Sequence, residues 1–160
     1  MSGGTLNALM LGALALVLVS AGIEDARTRE IANWKNAAIV LLAPFWWWAH
    51  GIAIWPDLAI QVGVAILTLA FFWGCFHFGW MGGGDVKMIG ALALWFPAGA
   101  LAWMLIVMSL IGGGLTLVLM IEHKVRRKAG NVEIPYGVAI AIAALLAIRE
   151  PILNHFGVNA

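Results

Sequence analysis

The chain has 160 residues, the length of one domain. Hydrophobic residues make up 63% of it and charged residues 11%, with a mean hydropathy of +0.97. Soluble domains sit near ~45–50% apolar and ~25% charged, so a water-soluble globule is excluded. The composition predicts an all-α polytopic membrane protein, a single transmembrane domain over 1–160. A net charge of +1 gives no basis for a nucleic-acid partner. The single cysteine, Cys75, rules out an intramolecular disulfide and a zinc ribbon, and no His or Cys cluster suggests a metal or cofactor.

A helix needs about 20 apolar residues to cross the hydrocarbon layer. The first such run is Thr5 to Ile23, closed by the polar stretch Glu24 to Glu30. It has no basic start and no small-residue cleavage site, so it is not expected to be a signal peptide. The second run is Ala37 to Ile54, and Trp46, Trp47, Trp48 and Trp55 are expected in an aromatic belt at its outer end. The third is Leu58 to Phe78. The fourth, Val86 to Phe96, follows Gly82-Gly83-Gly84-Asp85 and stops at Pro97. Eleven helical residues reach only about 16 Å, so this segment must be shielded by neighbours or line a cavity. The fifth is Ala100 to Ile121, where Gly112-Gly113-Gly114 predicts close helix packing. The sixth, Tyr136 to Ile148, is stopped by Arg149-Glu150-Pro151.

Six segments place eight of the nine basic residues on one side, with only Arg149 opposite. By the positive-inside rule that side is cytoplasmic, and both termini face outward. The basic loop within 122–134 is expected to meet anionic membrane lipid rather than a nucleotide.

Eight acidic residues are present, and two places stand out. Glu24-Asp25 ends segment one and Asp85 opens segment four, at the same membrane face. The glycines before Asp85 leave the backbone open to positive φ, and Asp85 reads as the N-cap of its helix. Carboxylates near a membrane are costly and by default suspected of function. Two that lie close share a proton, so one activates water while the other donates to a carbonyl, as in aspartic proteases. On helix dipoles alone, Asp85 is the base and Asp25, if its helix ends there, the acid.

Gly82-Gly83-Gly84-Asp85-Val86-Lys87 resembles the GxGD signature of the type 4 prepilin peptidases. The stretch Asp25 to Asn33 resembles the family's first motif, an Asp, a basic stretch and Ile-Pro-Asn, with Ala32 where Pro is usual. Ile134-Pro135-Tyr136-Gly137 is similar to its late segment. The resemblance spans residues 25 to 137. It implies an aspartic endopeptidase with Asp25 and Asp85 as the catalytic pair, and Gly82, Gly83, Gly84, Lys87, Asn33, Pro135 and Tyr136 as supporting or substrate-binding residues. It further implies a prepilin or pseudopilin substrate, cleaved at the cytoplasmic face of the bacterial inner membrane, with the pilus assembly machinery as a further partner. The chain lacks the paired Cys-x-x-Cys of longer members and resembles the short, peptidase-only forms of Flp-type pilus systems, without methyltransferase activity.

Two other readings compete. In a small cation or proton-coupled transporter, Asp25 and Asp85 would carry the ion, but such sites lie at the midplane and pair with inverted repeats. A non-catalytic scaffold for pilus assembly would not need both acids. Glu24 rivals Asp25 as the first acid. Neighbouring helix positions point about 100° apart, so only one faces Asp85. The motif favours Asp25, and Glu24→Gln is expected to retain activity.

Overall fold

The computed structural model describes residues 3–125 and 134–157, with side chains over 4–125 and 134–148. The described residues form six helices: α1 (Gly3–Thr28), α2 (Asn33–Ala49), α3 (Ala59–His77), α4 (Gly83–Leu92), α5 (Ala98–Val125) and α6 (Tyr136–Gly157). The all-α membrane class therefore holds. Three spans, Gly4–Thr28, Ile54–His77 and Ala98–Val125, are long and apolar enough to cross a bilayer. The outer surface is apolar, with Leu16, Leu67 and Leu110 each more than 70% exposed. In water that pattern would aggregate, whereas lipid tails solvate it.

The buried residues of α1 are Leu14, Leu18, Ala21, Gly22 and Asp25. Their three- and four-residue spacing makes one stripe along the helix. The stripe faces α6, whose buried side carries Ala139, Ala143, Ala144 and Ala147. Small residues let these backbones approach closely. A Cβ on Gly22 would sit 3.1 Å from the Ala141 Cβ. Gly112 serves the α5–α6 contact in the same way, because a Cβ there would meet the Tyr136 ring at 2.9 Å. Gly113 and Gly114 face open space, so the close-packing expectation holds for Gly112 only.

The short helix α4 is the centre of the molecule. It packs against α2, α3 and α6, and every residue from Asp85 to Leu92 except Lys87 is buried. The carbonyls of its last turn take the N–H groups of the turn that follows, and that turn's own carbonyls must be satisfied inside the protein, because lipid offers no donors. Gln61 Nε2 donates to the carbonyls of Ala93 and Phe96, each at 2.7 Å, and Trp47 Nε1 donates to that of Leu94 at 2.9 Å. Trp95 Nε1 donates in turn to the Ile39 carbonyl.

Several expectations are corrected. Trp46 and Trp47 pack on the core, and the belt reading fits only Trp48 and Trp55, 79% and 81% exposed. The Trp47 indole N–H is spent on the Leu94 carbonyl, and the Trp46 ring lies against Trp95. Helix α6 runs through Pro151 to Gly157 instead of stopping near Ile148. A proline removes one helical hydrogen bond and is tolerated in apolar helices when the rest of the ladder holds. Helix α1 continues to Thr28, and Arg29 closes it with φ 59°, donating its N–H to the Asp25 carbonyl. That is the left-handed helix end usually given to Gly. Arg126, Arg127 and Lys128 of the basic loop lie outside the described residues.

Candidate active site

One end of the bundle gathers the C-terminal turn of α1, the first turns of α2, α4 and α6, and the loops between them. A cavity of about 250 Å³ opens there, lined by Asp25, Asp85, Gly82, Gly83, Gly84, Ile31 and Asn33 together with the exposed Arg29 and Glu30. Asp25 and Asp85, far apart in the chain, thus share one space, and the charge of Asp25 acts on Asp85. Both side chains are buried, 4% and 8% exposed. Asp25 extends the buried stripe of α1 by one turn, and that phase turns it inward. Glu24, one position earlier, faces α2 and pairs with Lys35 at 2.9 Å.

Each carboxylate sits on a helix N-terminus. Helix α4 begins at Gly83 with Gly82 as its N-cap, so Asp85 is the third helical residue and not the cap. Its carboxylate reaches back to the Gly82 backbone amide, the arrangement of an acidic residue in the first turn that satisfies an otherwise unpaired N–H. Asp25 Oδ2 accepts the Val138 N–H at 3.1 Å, in the first turn of α6. The positive end of α6 therefore faces Asp25, and its own helix runs on past it. The dipole argument that set Asp25 apart as the acid lapses, because both acids lie at positive helix ends.

The glycines are needed for space rather than for positive φ, which none of Gly82, Gly83 and Gly84 adopts. A Cβ on Gly82 would lie 3.0 Å from Asp85 Oδ2, on Gly83 3.3 Å from the Phe76 ring, and on Gly84 3.2 Å from the Ile31 Cβ. The tightest approach is at Gly137. A Cβ there would fall 2.8 Å from both Asp25 Cγ and Ile31 Cδ1.

The remaining candidates separate. Asn33 lines the cavity and accepts a hydrogen bond from Lys87 Nζ at 2.8 Å. Lys87 itself is exposed outside the acidic cavity, at the edge of an apolar groove between α2, α3 and α4. Pro135 is buried and Tyr136 packs over Gly112; neither lines the cavity. The residue of that segment which touches the site is Gly137. Sequence reasoning quoted it in a motif without giving it a task. It treated Ile31 of the first motif in the same way, and passed over Asn36 and Gln61. Of these last two only Gln61 carried a signal, as a polar residue inside an apolar run. No group of three or more His, Cys, Asp or Glu positioned to hold a metal occurs among the described residues.

No curated protein matches the chain. No solved structure matches it either. The family model of the type IV leader peptidases matches residues 12–117, which include Asp25, Asp85 and the three glycines but not Pro135 to Gly137. That match covers well over half of the chain, and with it the chain belongs to the type IV leader peptidase family, a family of membrane proteases.

Proposed function

We propose that this protein is an aspartic endopeptidase that removes the short basic leader of prepilin-like proteins at the cytoplasmic face of the bacterial inner membrane, for pilus biogenesis. Asp25 and Asp85 are its catalytic pair. The observation that carries this reading is the cavity both acids line. Two carboxylates that face one cavity and feel each other's charge share one proton between them. The ionised one takes a proton from a water molecule, whose oxygen attacks the peptide carbonyl carbon. The protonated one gives its proton to the carbonyl oxygen. Collapse of the tetrahedral intermediate breaks the C–N bond, and the departing nitrogen takes a proton from the pair. The helix N-termini at Gly82 and Val138 hold the carboxylates in place and support their negative charge.

The site lies at one end of the bundle, where the α1–α2 loop with Arg29 meets the glycine-rich turn that opens α4, which favours a protease meeting a soluble leader over a midplane ion site. The membrane-bound prepilin is the partner, and the pilus assembly machinery is its destination. No methyl transfer is expected from this chain. A mature pilin N-methylated by the purified protein and a methyl donor alone would refute that.

The test is coexpression with Flp-type prepilins, read as loss of the leader on a gel. Asp25→Asn and Asp85→Asn should each abolish cleavage while the protein still inserts. The double variant should be little worse than either single, because the pair acts as a unit. Cleavage that survives Asp85→Asn would rule out the mechanism.

A further inference from the structure

We propose that Glu24 and Lys35 form a positioning pair that sets the spacing of the two carboxylates. The inference rests on the peptidase reading above. The first turn of α2 lies between the two helices that carry the acids, and its side chains reach both. Toward α1, Lys35 Nζ bonds to Glu24 Oε2 at 2.9 Å and donates to the Ser20 carbonyl at 2.9 Å. The same Glu24 oxygen accepts the Ala32 N–H at 3.1 Å. Ala32 is the N-cap of α2 and makes no side-chain cap of its own. Glu24 therefore takes over the capping from the neighbouring helix, where a carboxylate also meets the positive helix end. Toward α4, Asn36 Nδ2 donates to the Gly84 carbonyl at 3.3 Å, and Asn33 accepts from Lys87.

Between these ties the loop seats Ile31, which is 8% exposed. Ile31 touches Gly84 on one side and Gly137 on the other, the residues beside Asp85 and Asp25. It acts as a spacer, and the Glu24–Lys35 pair keeps the spacer in its slot. Lys35 is 5% exposed and the Glu24 side chain 32%, so the pair is half-buried, a place where ion pairs add little net stability. A fixed geometry is the better-attested reason to retain such a pair. Glu24 is thus a positioning residue, and the sequence-based expectation that Glu24→Gln keeps its activity is reversed.

The test uses the full chain, purified and reconstituted in lipid, with a Flp-type prepilin as substrate. Glu24→Gln should lower kcat at least tenfold and leave KM within twofold. Glu24→Gln combined with Lys35→Met removes both charges and leaves no buried cation uncompensated. That double variant should melt near the wild-type temperature yet keep the tenfold loss in kcat. A purely structural pair would restore activity and melting temperature together. Wild-type kcat in Glu24→Gln, or in the double variant, would overturn the proposal. If Glu24→Gln does not fold, the double variant decides. Asp25→Asn and Asp85→Asn run in the same assay separate the two ideas. Cleavage by those variants sinks the peptidase reading, whereas their inactivity beside fully active Glu24 variants sinks only the positioning pair.

Discussion

Gly137 is where a single methyl group matters most. The N–H that holds Asp25 belongs to the next residue, Val138, so Asp25 cannot retreat from a new Cβ without losing that bond. Gly137→Ala should therefore reduce leader cleavage at least a hundredfold in protein that still inserts. A variant with more than a tenth of wild-type cleavage would show that Asp25 can relocate and still work. Gly84→Ala should be milder, because the contact with Ile31 at 3.2 Å yields by a few tenths of an ångström. The same reasoning explains why the acids were legible in the sequence and their surroundings were not. Scarce carboxylates at membrane level announce themselves by cost. A glycine required for closeness to a residue on another helix has no local signature.

At the scale of single helices, α4 shows how a ten-residue helix is kept inside an apolar protein. Its first turn carries Asp85 beside the Gly82 amide, its last carbonyls take the N–H groups of the following turn, and the carbonyls of that turn take donors from Gln61 and Trp47. Gln61→Leu makes the chain more apolar and, on hydropathy alone, a better membrane protein. It should nonetheless destabilise the fold by about 1–3 kcal/mol, because the carbonyls of Ala93 and Phe96 lose their donor in a water-free place. Thermal melting in detergent and in lipid is the measurement. An unchanged or raised melting temperature would mean that water reaches this end of α4. The shortness of this segment was readable from Pro97, and its need for shielding followed from length. Which side chains do the shielding was not, since Gln61 and Trp47 belong to other helices.

For the whole molecule, the paths of the six helices bring the α1–α2 loop, the glycine-rich turn and the start of α6 to one end. On the positive-inside rule that end is proposed to be the cytoplasmic one. Cysteine placed at Pro56 and at Lys128, in a background without Cys75, should be labelled from opposite sides of the membrane. Labelling of both from the same side would overturn the topology. The basic loop from Lys124 to Lys128 is expected to hold anionic lipid. Neutralising its four cations should weaken orientation or lipid association more than the chemical step, as measured by cleavage in properly inserted protein.

Composition alone determined that this is a membrane protein of helices, because apolar content fixes the solvent before any contact is made. The scarcity of acids at membrane level singled out Glu24-Asp25 and Asp85, and the family resemblance chose Asp25 over its neighbour. The tertiary structure decided what surrounds them. The sequence places Asp25 at the unfavourable end of its own helix, and only the packing of α6 supplies the Val138 amide that reverses this. The sequence sets Glu24 beside Asp25 as a rival, and only the approach of α2 gives it Lys35 and Ala32 as partners. Hydrogen bonds and charges act over a few ångströms of space, and a linear chain does not say which of its distant parts will meet at that range.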